Sequence, residues 1–226
     1  VSRNEGPENN FLQKVRELAT KNDIVLIFDE CTSGFRETFG GLHKKFGVEP
    51  DIAIFAKALG NGYAISACIG RKEFMQAAQN TFISSTFWTE RIGPTAALKT
   101  LEIMEREKSW EKITHTGKNI GERWKTLAQK YELPLDINGL PALIGFSFRL
   151  QNMLKYKTLI TQEMLKKGIL AATSVYVCTE HKQPIIDKYF DALDPIFALI
   201  KECEQGRSID DLLEGPVCHS GFKRLN

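Results

Sequence analysis

The chain has 226 residues, 42% hydrophobic and 26% charged, which suits one large globular domain or two smaller ones. Thirty basic residues against 28 acidic ones leave a formal charge of +2, so there is no electrostatic case for nucleic acid or an anionic membrane as partner. No apolar run approaches the ~18 residues of a membrane span, no signal-peptide pattern opens the chain, and five scattered cysteines without a CxxC pair read as reduced thiols of a cytoplasmic protein.

In chain order, residues 1–7 read as the middle of a longer polypeptide, so the expectation is the carboxyl-terminal portion of one. Residues 8–22 predict a helix with Phe11, Leu12, Val15, Leu18 and Ala19 on one apolar face. Residues 24–28, IVLIF, predict a fully buried strand that stops on Asp29-Glu30. Residues 32–50 are rich in glycine and charge, too long for an ordinary connection, and such loops are usually functional. A strand over 51–56 runs into Lys57, with Gly60 and Gly62 behind it; another strand follows over 64–70 and a helix over 71–78.

Residues 81–91 are polar and aromatic. A helix over 92–107, with Ala96, Ala97, Leu101 and Met104 on one side, is expected to bridge two domains, and a second long helix covers 110–129. Then the pattern changes. Strands over 134–137 and 142–149 flank the turn Asn138-Gly139, a helix over 156–167 ends at Gly168, a strand spans 169–173 and a helix closes 183–202. The tail from Gly206 reads as a loosely docked segment. The domains expected are 1–106 and 107–226, an α/β part followed by a smaller α+β part.

The chemistry is expected where the two apolar runs end, because ligands of open α/β sheets sit at the carboxyl ends of the strands. Lys57 follows a buried run, and burial would favour its neutral, nucleophilic amine, which suits a Schiff base with an aldehyde cofactor. Standing alone, such a lysine more often snorkels to solvent. Asp29 suits a carboxylate paired with a protonated heterocycle nitrogen. It also fits a Walker-type nucleotide hydrolase, whose magnesium strand likewise ends in Asp-Glu. That reading needs a GxxxxGK[ST] loop, and Gly117-Lys118 has Lys112 where the first glycine would stand.

Taken together, LIFDECTSGFR, the Gly47-Val48-Glu49-Pro50-Asp51 step, FAKALGNGY and Ser85-Thr86-Phe87 resemble the class III aminotransferases, a family that includes glutamate-1-semialdehyde aminomutase. The resemblance implies the aspartate-aminotransferase fold (fold type I). Residues 1–106 would be the later part of the large, mainly parallel-sheet domain and 107–226 the small carboxyl-terminal domain. It implies pyridoxal 5'-phosphate as cofactor and amino-group transfer as the reaction, with a 2,1-aminomutase as the close alternative and a non-catalytic remnant as a third. Lys57 matches the family's Schiff-base lysine, Asp29 the acid on the pyridine nitrogen, and Cys31 the position, usually valine, against the ring face. Thr86 matches the threonine that reaches the cofactor phosphate of the neighbouring subunit, which implies a homodimer with shared sites. The substrates implied are a small-molecule amino donor and a carbonyl acceptor. Thr89-Glu90-Arg91 departs from the Gly-Asn-Pro common in that region. The family's phosphate-cradling turn and ring-covering aromatic are expected amino-terminal to Val1.

Arg36 is a candidate for a substrate carboxylate but reads more simply as an ion-pair partner, and Glu30 takes no assigned role. The four histidines lack metal spacing. Trp88, Trp110 and Trp124 read as core or interface anchors.

Overall fold

The computed structural model describes residues 6–83, 86 and 89–221. They form two compact units, one covering Gly6–Ile113 and the other beginning at Thr114. The division falls within the helix Ser109–Lys130.

In the first unit α1 (Phe11–Lys21) precedes β1 (Ile27–Asp29), β2 (Ile52–Phe55) and β3 (Ala67–Gly70). β1 pairs parallel with β2, Asp29 opposite Ile54; β2 pairs antiparallel with β3, Phe55 opposite Ala67. A short helix α2 (Lys72–Met75) passes into a 3-10 turn, and α3 (Ile92–Glu107) follows. The small core joins Ala53, Phe55 and Leu59 to Ala97 of α3, with Phe35, Ile65, Ala67 and Leu101 packed around it.

Two expectations fail here. Ile24 and Val25 are exposed and Ile27 is 51% exposed, so the IVLIF run is not a buried strand. β1 has no strand partner besides β2 among the described residues, and its residues at positions 27 and 29 face away from the packed side. The apolar face of α1 is likewise largely open: Ala19 is buried, whereas Phe11 and Leu18 are exposed.

Polar ties hold this unit instead. The Asp51 carboxylate, 2% exposed, accepts from the Leu26 amide at 2.8 Å and from Arg16 at 2.8 Å, with Arg71 at 3.4 Å. One buried acid thus joins α1, the approach to β1, the start of β2 and the end of β3. Burial opposes its charge, but the Leu26 amide and the Arg16 and Arg71 guanidiniums outweigh that and hold the carboxyl below its ordinary range.

The second unit contains most of α4 (Ser109–Lys130), then β4 (Leu135–Asn138), β5 (Leu143–Phe148), α5 (Met153–Lys166), β6 (Ser174–Tyr176) and α6 (Gln183–Glu204). The strands form an antiparallel sheet in chain order, closed at the first hairpin by Gly139 at φ 83°. α6 buries Ile186, Phe190, Leu193, Phe197 and Ile200, a helical stripe that meets α5 and the sheet. Trp124 lies at the centre, fully buried, its ring 4.8 Å from that of Phe146 and its indole N–H donating to the Tyr189 hydroxyl at 3.0 Å.

The strand expected over 169–173 forms five residues later, as β6. Gly145 pairs with Ser174 and Leu143 with Tyr176, while Leu170 is 90% exposed. Leu170 of the apolar run after Gly168 therefore turns outward while its neighbours are half-buried, and β6 is chosen by the ladder of β5. The tail is also better docked than expected. Ile209 is buried, Gln162 of α5 binds the Leu212 carbonyl and the Glu214 amide, and Thr158 accepts from the Cys218 amide.

Candidate active site

Asp29 ends β1 and Lys57 stands two residues beyond β2, so the parallel pairing brings their carboxyl ends side by side. The Asp29 carboxylate accepts from the Cys31 amide at 3.0 Å. That amide, the Cys31 thiol and the Lys57 charge together depress the Asp29 carboxyl below its ordinary range. Cys31 responds in the opposite sense: its thiol is pushed up by the bond to Asp29, by partial burial and by the Asp29 charge. A carboxylate held ionised in this way suits a protonated ring nitrogen as its partner.

Lys57 is exposed, so the burial expected to free its amine is absent in the described chain. Its backbone supplies the special geometry instead. φ is 47°, in the left-handed region that a side chain seldom adopts and that clusters at functional sites. The Lys57 ammonium donates to the Thr32 hydroxyl, which sequence reasoning passed over because a threonine between Cys31 and Ser33 looks like any loop residue.

Lys57 opens onto a cavity of about 430 Å³ that it lines with Arg36, Asn61, Gly62 and Tyr63. Arg36 thus adds a second cation to the same cavity. Gly62 takes φ 105°, which requires glycine, whereas Gly60 is needed for the turn itself: a Cβ there would lie 2.2 Å from the Tyr63 carbonyl oxygen.

Glu30 has a supporting place. Its buried carboxylate accepts from the Ser33 hydroxyl, from the His43 amide at 3.0 Å and faces His43 Nδ1 at 2.9 Å. Burial opposes its charge, but the Ser33 hydroxyl, the His43 and Leu42 amides and the His43 ring prevail and lower its carboxyl. The long loop is accordingly a packed structure, further fixed by Phe35 against Phe55 at 5.3 Å and Phe39 against Trp110 at 5.5 Å. Thr86 is an exposed turn residue and does not line the Lys57 cavity; Ser85, Phe87 and Trp88 lie outside the described residues. Among the described residues no cluster of three or more acidic, His or Cys side chains could hold a metal ion, and no helix is long and apolar enough to cross a membrane.

Comparison with known proteins follows the same lines. The chain is 34% identical over 202 residues to a 3-aminobutyryl-CoA aminotransferase of Cloacimonas acidaminovorans (strain Evry), covering 87% of this chain and 49% of that one. It is 28% identical to a glutamate-1-semialdehyde 2,1-aminomutase of Methanocaldococcus jannaschii, covering 84% and 49%. The chain spans about half the length of the curated relatives it matches. The solved structure of the Sphingopyxis sp. MTA144 FumI protein, in its PLP internal aldimine form, superposes with a TM-score of 0.83 at 20% identity, covering 93% of this chain and 52% of that one. The fold is therefore that of the fold type I transaminases. The family description Aminotransferase class-III matches residues 5–183, and with the Asp29–Lys57 pair at the ends of two parallel strands this places the chain among the class III aminotransferases.

Proposed function

We propose that the protein is a pyridoxal 5'-phosphate-dependent aminotransferase in which Lys57 binds the cofactor aldehyde. Asp29 pairs with its ring nitrogen and Cys31 packs against the ring. The observation that carries this reading is the meeting of Asp29, Cys31 and Lys57 at the carboxyl ends of β1 and β2, where Lys57 lines an open cavity. Bound there, the cofactor supplies an electron sink for the substrate carbon that loses its proton. The chain's own residues do the rest. The depressed Asp29 carboxyl stays ionised and so keeps a proton on its partner nitrogen, and the Lys57 amine, once free, takes and returns the substrate proton. Glu30 and His43 keep the loop that carries Cys31 in place. The substrates are a small amino donor and a carbonyl acceptor.

On this reading residues 1–106 belong to the cofactor-binding domain and 107–226 to the small domain. The apolar side chains left open on α1 and β1 support a larger cofactor domain than residues 6–113 alone form. Thr86, exposed and outside its own chain's cavity, fits a residue serving the neighbouring subunit of a homodimer. The unpaired cysteines fit a reducing cytoplasm. The nucleotide-hydrolase reading falls with membership of the family.

The test is borohydride reduction of the yellow full-length protein followed by peptide mapping. The pyridoxyl group is expected on Lys57, and a label on another lysine overturns the assignment. An aminomutase reading has support in the 28% identical relative. Turnover of one amino substrate without any added acceptor would select it. Mixing Lys57→Ala with Thr86→Ala subunits tests the shared site: activity is expected to exceed the sum of the parents, and no gain after proven subunit exchange removes Thr86 from the partner's site.

A further inference from the structure

Lys57 carries a long, flexible side chain and is exposed, yet its ammonium has a defined resting place on the Thr32 hydroxyl, 25 residues earlier. Thr32 is held from both sides. Its neighbour Cys31 gives its amide to Asp29, and its neighbour Ser33 gives its hydroxyl to Glu30, which is itself anchored by His43. A β-branched side chain on a segment tied this way has little freedom at χ1. The hydroxyl is thus the fixed partner and the amine the mobile one.

We propose that Thr32 is a positioning residue that parks the free Lys57 amine at the head of β1, an inference that rests on the reading of Lys57 as the cofactor-binding lysine. A hydroxyl has one donor and two acceptor lone pairs, so by rotating it accepts from the ammonium and donates to the neutral amine. It therefore holds the nitrogen just past the carboxyl end of β1 in both protonation states. Its effect falls on the steps in which the amine is free, namely uptake of the cofactor, return to the cofactor after product leaves, and transfer of the substrate proton. Asp29 and Cys31 do not replace it, since they are bonded to one another.

The test uses the full-length protein freed of cofactor, as wild type, Thr32→Val, Thr32→Ser and Thr38→Val. Thr38 lies in the same loop but gives its hydroxyl to the Gly41 carbonyl, 2.8 Å away. The rate of pyridoxal 5'-phosphate uptake is followed by absorbance and by borohydride-trapped label on Lys57. Without its fixed partner the Lys57 amine samples many more rotamers, which is expected to slow uptake roughly tenfold in Thr32→Val, with Thr32→Ser and Thr38→Val within about threefold of wild type. In the loaded enzyme, kcat of Thr32→Val is expected to fall while KM for the amino donor stays close to wild type. Uptake by Thr32→Val at the wild-type rate overturns the proposal, and so does equal slowing in Thr38→Val, which would mean a loosened loop. If Thr32→Val does not fold, Thr32→Ala takes its place with the same criteria. Label on Lys57 at equal rates in all variants defeats the Thr32 role alone; label on another lysine in wild type defeats the cofactor assignment and this role with it.

Discussion

The unit beginning at Thr114 buries Trp124, Tyr156, Phe197, Leu159 and Leu193 completely, whereas the Gly6–Ile113 unit counts Glu30, His43 and Asp51 among its buried side chains and leaves Ile24, Ile27 and Ile69 open. The one is an antiparallel sheet under long helices whose stripes interlock, so apolar burial dominates its stability. The other is a narrow sheet with an uncovered strand, in which hydrogen-bonded carboxylates do the joining. The unit with the buried carboxylates is also the one with the candidate site. There the buried Glu30 carboxylate ties Ser33 and His43 together and so fixes the loop that follows β1.

The comparison can be broken most directly at Trp124. Trp124→Ala removes the central ring and its bond to Tyr189, and about 3–5 kcal/mol of stability should go with it in urea unfolding. A cost under about 1 kcal/mol would show that the second unit does not depend on this core. Asp51→Asn comes next. It leaves Arg16 and Arg71 around a neutral amide, and loss of a buried charge partner costs about 3 kcal/mol. Hydrogen exchange should rise at the amides of β1 and β2 and stay unchanged in α5 and α6; equal rises in both units would erase the distinction.

The pH dependence should separate the units on the alkaline side. Glu30 and Asp51 have carboxyls depressed in the folded chain, so the stability they add is present above about pH 4, the ordinary carboxylate range, and is lost as acid protonates them. Tyr156 is raised, first by burial and then by its bond to Glu204, so its contribution is full below about pH 10 and fades as the solution becomes more alkaline. Asp187 and Asp194 of the other unit are depressed as well, so midpoints read by hydrogen exchange should fall in both units on acidification and first in the unit beginning at Thr114 on alkalinisation. Asp51→Asn should flatten the acid limb; an unchanged limb would assign it to other groups. The smallest effect is expected at Leu170→Ser. The side chain is almost wholly exposed, so the change should stay within about 0.5 kcal/mol, and a larger loss would mean that the 169–172 run is packed in solution.

Much of this was legible beforehand. The helix over 92–107 forms between those residues, because Ala97, Leu101 and Met104 recur at helical spacing and pack as a stripe. The Asn138-Gly139 hairpin and the stop at Gly168 follow from residues that tolerate positive φ. The cluster of Asp29 and Lys57 was legible because each sits where an apolar run ends. Misreadings came where the pattern speaks only of apolarity. IVLIF and the run after Gly168 are both apolar, yet neither is buried, since burial depends on what lies opposite and a short run does not encode its cover. β6 was displaced for a related reason: a strand's position is chosen by the hydrogen bonds its neighbour offers, here those of Leu143 to Gly145.

By itself, then, the sequence determined the order of helices and strands, the two strand ends at which polar groups collect, and the family, because periodicity, turn residues and short polar stops are local properties. Only the tertiary structure decided that Glu30 faces the loop, that Asp51 joins four elements, that Lys57 is exposed on a left-handed backbone and that Thr32 receives its amine. The pairings among these join groups 13 to 35 residues apart. Such distances in sequence carry no period, and the partners are selected by the packing that brings them together.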